Sequence, residues 1–202
     1  VGGDLDVAGD PVTAPVPVEP GVILAVWSSN SFFGTVIRLG AVLRGRPGVA
    51  NHVIVVTHQD QAGRWMGIEG RPGGVGPVDC TPFLADSRTR GNHAQPRPND
   101  AGQLEVFLAS CAASLGIDYD WVGIGQDTAR SIGLHNLAKA IDPLWRWGGN
   151  DKELPGHVVC SSLAAMLYKL TGWASPEPGA ERQTTPAQWW DWADRQLWKA
   201  AS

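Results

Sequence analysis

Three cysteines occur in this 202-residue chain, and Cys160 stands where a sulfur can act as a nucleophile. A cysteine nucleophile works as its thiolate, and a helix N-terminus, with unpaired N–H groups and a positive dipole end, favours that form. The stretch after Pro155-Gly156 predicts a helix opening near Cys160 and stopping at Gly172. Leu163 and Leu167 follow Cys160 at three and seven residues, so the sulfur shares their core-facing stripe, to which Met166 and Leu170 also belong. Cys80 precedes Thr81-Pro82 in a turn with no helix to activate it, and Cys111 falls in mid-helix on an apolar stripe. Neither is placed to react. An odd cysteine count makes no self-contained disulfide framework, and the spacing fits no CxxC metal pattern.

A thiolate also needs a base. His52 begins the run NHVIVVTH, so apolar that it predicts a central strand. His58 shares its face by alternation but lies roughly 20 Å further along, too far to assist. With the loop of the following hairpin placed at QDQA, residues 59–62, His58 faces Gly63 and His52 faces Glu69. Directly opposed Cβ atoms lie about 5 Å apart, close enough for Glu69 to orient the imidazole and stabilise its charge. A one-residue slip would put Ile68 or Gly70 there instead. His157, three residues before Cys160, reads as a loop histidine exposed to solvent. No His, Asp or Glu spacing implies a metal, no motif implies another cofactor, and Gly73-Gly74-Val75-Gly76 opens no helix that could cradle a phosphate.

The elements that must position these residues follow from the pattern. Residues 21–27 (GVILAVW) predict a short buried strand, and residues 51–58 with RWMGIEG predict a hairpin at the centre of a sheet. Residues 75–78 add an edge strand. A helix over about 98–116 buries Leu104, Phe107, Leu108, Cys111 and Leu115 on one face. Thr185-Pro186-Ala187-Gln188 has the form of a capping box with proline at the first helical position, so a last helix runs from there to about residue 200. Residues 1–20, alternating valine with Pro, Gly and Asp, read as an extended arm to be held by its own domain, a second copy of the chain or a larger assembly. Residues 21–202 form the domain, with a helical insertion at about 120–155 ending in the cluster Leu144-Trp145-Arg146-Trp147.

Composition narrows the partners. A net charge of −4 with scattered basic residues gives no footprint for nucleic acid. No uncharged apolar run is long enough to span a bilayer, and Asp4 and Asp6 stand where a secretory signal would carry lysine or arginine. The expected location is therefore cytoplasmic or virion-associated. Tryptophans crowd the C-terminal third, where they line either the core or an apolar groove.

Read in order, GVILAVWSSNSFFG, NHVIVVTHQD, GIEGRPGGVGPVDCTPFL, LGIDYDW and HVVCSSLAAMLYKLTGW resemble successive blocks of the circularly permuted NlpC/P60 proteins, the YiiX/YaeF-like group. The resemblance covers about residues 21–173 plus a TTPA start to the last helix, and its most specific parts are Asn-His-Val and Cys-Ser-Ser. It implies an α+β, papain-like fold with an antiparallel sheet packed against the helix that bears the nucleophile. By resemblance His52 matches the family's base, Cys160 its nucleophile and Glu69 its polar third member. The implied reaction is cysteine-hydrolase cleavage of an amide, in a peptide or peptidoglycan fragment. The same branch also resembles lipid-directed acyltransferases, so a thioester-mediated lipid acyltransferase or deacylase is an alternative. A third reading is a structural or host-contact component of a phage virion that keeps the fold. The chain departs from relatives at Gly21-Val22, where they carry Gly-Asp, and at Ser161-Ser162. The oxyanion donors implied are the Cys160 N–H and a side chain within residues 27–30.

Overall fold

The computed structural model describes residues 18–27, 50–86, 89–92, 101–119, 157–176, 178–179 and 184–200. Most of the arm and the insertion at 120–155 lie outside them, as do residues 28–30. The described chain is α+β. Strands β1 (Ile23–Val26), β2 (His52–Gln59), β3 (Trp65–Arg71), β4 (Gly74–Asp79) and β5 (Arg90–Asn92) form one antiparallel sheet in the order β4-β3-β2-β1-β5. A single-turn helix α1 (Thr81–Leu84) follows β4, so Cys80 stands before a short helix and not in a plain turn. Next come α2 (Ala101–Ala113), the parallel pair β6 (Asp118–Tyr119) and β7 (His157–Val158), then α3 (Cys160–Leu170) and α4 (Pro186–Ala200).

The apolar runs are continuous because the sheet is covered on both faces. Alternate residues of β1 and β2 go to opposite sides, as the pleat requires. Ile23, Ala25, Val53 and Val55 meet Phe107 of α2, Leu163 and Leu167 of α3 and Trp189 of α4, while Val22, Leu24, Val26, Ile54 and Val56 gather around Cys80. Tyr168, Trp173 and Trp189 pack edge-on in the first of these cores, with ring centroids 5.3 Å apart in both the Tyr168–Trp173 and Tyr168–Trp189 pairs. Tyr168 also donates its hydroxyl to the Gly21 carbonyl at 2.6 Å, tying α3 to the start of β1.

Helix ends are set by local chemistry. Thr185 and Gln188 form the expected capping box at the start of α4, with the Thr185 N–H 2.7 Å from Gln188 Oε1. At the other end of α3, Gly172 takes φ +74°, the Trp173 N–H bonds the Tyr168 carbonyl and the Gly172 N–H bonds that of Lys169. That pairing is a Schellman turn, which needs a residue free to be left-handed. Two expected core residues are not in the core. Leu115 is 48% exposed, lying past the end of α2, and Leu170 is 45% exposed on the last turn of α3.

Candidate active site

Cys160 is the first residue of α3 and is buried at 3% exposure. The residue before it, Val159, is extended (φ −98°, ψ 160°) and has no side chain that can cap. Ser162 substitutes for that cap: its Oγ accepts the Val159 N–H at 3.1 Å and donates back to the Val159 carbonyl at 3.1 Å. Ser161 anchors the same turn from behind, donating its hydroxyl to the Thr184 carbonyl at 2.6 Å and receiving the Trp189 indole N–H on its own carbonyl at 3.1 Å. The two serines that follow the cysteine are therefore fasteners of the helix start.

His52 opens β2, and its Nε2 lies 2.7 Å from Glu69 Oε2, with side-chain exposures of 16% and 12%. The two residues meet diagonally, not directly across. The turn between β2 and β3 occupies residues 60–64, where Asp60 Oδ1 accepts the Ala62 and Arg64 N–H groups. Relative to the register expected from QDQA, this longer turn moves the pairing three residues, and a bulge between Val56 and His58 takes one back. Val55 faces Ile68 and Val56 faces Gly67. Continued, that register sets Glu69 opposite Ile54. A net shift of two preserves the face, so Glu69 still reaches His52 from the neighbouring diagonal position. His58, beyond the bulge, is exposed and pairs locally with the Thr57 hydroxyl.

Burial disfavours a charged imidazole at His52, but hydrogen-bonding and charge interactions with the Cys160 thiol and the Glu69 carboxylate outweigh it and push its pKa up to about 10. With Nε2 turned to Glu69, Nδ1 is the nitrogen left for the thiol. Among the described residues the other cysteines have no such imidazole neighbour. Burial drives Cys80 up to about 12, with help from Asp79 and Glu69, and burial alone does the same for Cys111.

Contact between β3 and α3 depends on Gly70. A Cβ there would stand 3.2 Å from the Cys160 nitrogen, 3.3 Å from its Cα and 3.4 Å from Tyr119 Cε2. Strand β3 thus offers Glu69 to the imidazole on one side and bare backbone to the cysteine on the other. Tyr119, on β6, is brought there because the Val75 N–H bonds the Ile117 carbonyl and the Gly116 N–H bonds that of Val75. Strand β6 then pairs with β7, which leads directly into Cys160. Gly70, Tyr119 and Ser162 escape a reading of residue types. For Gly70 the signal is an isolated glycine inside a strand, which marks close backbone approach.

Chemically, the arrangement can hold a thiol, an imidazole that takes up its proton and a carboxylate that steadies the resulting imidazolium. Among the described residues no group of three or more His, Cys, Asp or Glu could hold a metal ion. None of the helices searched there is long and apolar enough to cross a membrane. Comparison with family models, curated proteins and solved structures finds no match.

Proposed function

We propose that the chain is a cysteine hydrolase that cleaves an amide bond in a peptide or peptidoglycan fragment, on a papain-like fold of the permuted NlpC/P60 type. The observation that carries this reading is His52, held by Glu69 at 2.7 Å, with its pKa pushed up to about 10 against the effect of burial by Cys160 and then by that carboxylate. A histidine so placed takes the thiol proton and keeps it until the leaving amine needs it.

The Cys160 sulfur attacks the amide carbonyl, and the carbonyl π electrons move to oxygen. Collapse of that tetrahedral species breaks the C–N bond, and the His52 imidazolium gives its proton to the departing nitrogen. The thioester left on Cys160 is then attacked by water, His52 accepting the water's proton and returning it to the sulfur as the acid leaves. Glu69 fixes the ring throughout.

Support for the family comes from the ordered blocks around Asn51-His52-Val53 and Cys160-Ser161-Ser162, with the histidine strand before the cysteine helix. Four described tryptophans of the C-terminal third give the lipid alternative less support than the sequence suggests: Trp173 and Trp189 are buried, and Trp190 and Trp192, partly buried, pack against the same core. Muropeptides and short-chain phospholipids offered side by side, with Cys160→Ala as control, test the proposal. Cys160-dependent cleavage of the muropeptide is expected. Cleavage of lipid alone would favour the acyl-transfer reading, and turnover of neither would favour a structural component.

A further inference from the structure

Arg71 lies two residues beyond Glu69 on β3 and reaches back toward it, its Nη1 3.4 Å from Glu69 Oε1. The other oxygen of that carboxylate holds His52 at 2.7 Å. Glu69 is thus gripped at both oxygens by two different cationic partners, which removes the terminal rotation a carboxylate otherwise keeps. The guanidinium has a seat. Gly76 of β4 pairs directly with Glu69 across the β3–β4 ladder. A Cβ on Gly76 would stand 3.0 Å from Arg71 Nη2, 3.4 Å from Nε and 3.5 Å from Cζ. The planar group therefore lies across bare backbone, in the space that any side chain opposite Glu69 would fill.

This pair contributes little to stability, because Arg71 is 50% exposed and its contact with Glu69 is long. Among the described residues the Arg71 side chain has no other ionic or hydrogen-bonding partner. What the contact does fix is the direction of the carboxylate, and direction is what an orienting group supplies to a base.

We infer that Arg71, seated on Gly76, is a positioning residue that holds Glu69 so that its Oε2 stays on His52. The inference rests on reading Cys160, His52 and Glu69 as a hydrolytic site. It also separates two substitutions that look unrelated. Arg71→Met removes the guanidinium, whereas Gly76→Ala keeps it and displaces it. Only the flexible end of a side chain has to move in Gly76→Ala, and Gly76 has no positive φ that an alanine would strain.

The test is proton NMR of the whole chain together with iodoacetamide labelling of Cys160. The wild-type protein should show a downfield, slowly exchanging His52 ring N–H resonance, assigned by its loss in His52→Gln. Both Arg71→Met and Gly76→Ala should broaden that resonance and slow Cys160 alkylation about threefold to tenfold, with the melting temperature little changed. Arg71→Lys should recover part of both. A sharp resonance with wild-type alkylation in both variants would overturn the inference, as would absence of the resonance from the wild type. Failure of the hydrolase reading has a different signature. Cys160 would then react no faster than Cys80 and Cys111, while the resonance still broadened in the two variants, and that outcome upholds the positioning.

Discussion

At His52, burial and two anion-forming neighbours act in opposite directions on one imidazole, and the neighbours prevail. Because the folded pKa, about 10, exceeds the ordinary 6.5, the pair's contribution to stability is fully present below about pH 6.5 and is lost as pH rises toward 10. Thermal unfolding followed across that range should therefore show a decline that is smaller in His52→Gln; parallel curves for the two proteins would contradict it. The two members of the pair differ in role. In the proposed mechanism His52 carries the proton, so His52→Ala should lower turnover by about a thousandfold, whereas Glu69→Gln, which still offers an acceptor oxygen, should lower it by only about tenfold. Equal losses in single-turnover rates would count against Glu69 as an orienting group. Cys160 and His52 were legible in the sequence because each sits at an element boundary with its own local signature, a helix opening behind Pro155-Gly156 and the first residue of an apolar strand. Arg71 was not, because its meaning depends on Gly76 across a ladder whose register the sequence does not state.

Between β2, β3 and α3, the site depends on one backbone approach. Gly70→Ala would place a methyl 3.2 Å from the Cys160 nitrogen, against main chain that cannot swing aside. The expected cost is about 1–3 kcal/mol in stability, with a drop in Cys160 alkylation as the helix start moves away from His52. Denaturant unfolding and labelling of the variant check both, and a wild-type alkylation rate would contradict the close contact. At this scale the sequence specified faces better than registers. The hairpin, the capping box at Thr185 and Gln188 and the helix at Cys160 all follow from local pattern. The pairing of His52 with Glu69 survived an error in turn length only because the turn and the bulge together shift the ladder by an even number of residues. Leu115 and Leu170 went astray for the opposite reason, since helical spacing continues on paper past the point where the partner surface ends.

Across the whole molecule, the site joins parts of the chain that are far apart in sequence. Strands β2 and β3 bring His52 and Glu69 together. Cys160 arrives more than ninety residues later, through β7 and its pairing with β6. Helices α2, α3 and α4 cover one face of the sheet, and the cluster around Cys80 covers the other. Neither β5 nor the parallel β6–β7 pair was legible, because strands of three and two residues have too few positions to display a period. Whether Cys160 reacts ahead of the two other thiols can be measured without knowing the substrate. The folded protein is treated with iodoacetamide near pH 7, and the rate at each cysteine is read by mass spectrometry. With Cys80 and Cys111 held up at about 12 by burial, Cys160 should react at least about tenfold faster than either, and His52→Ala should abolish the difference. Equal rates at all three thiols in the folded protein would contradict the account.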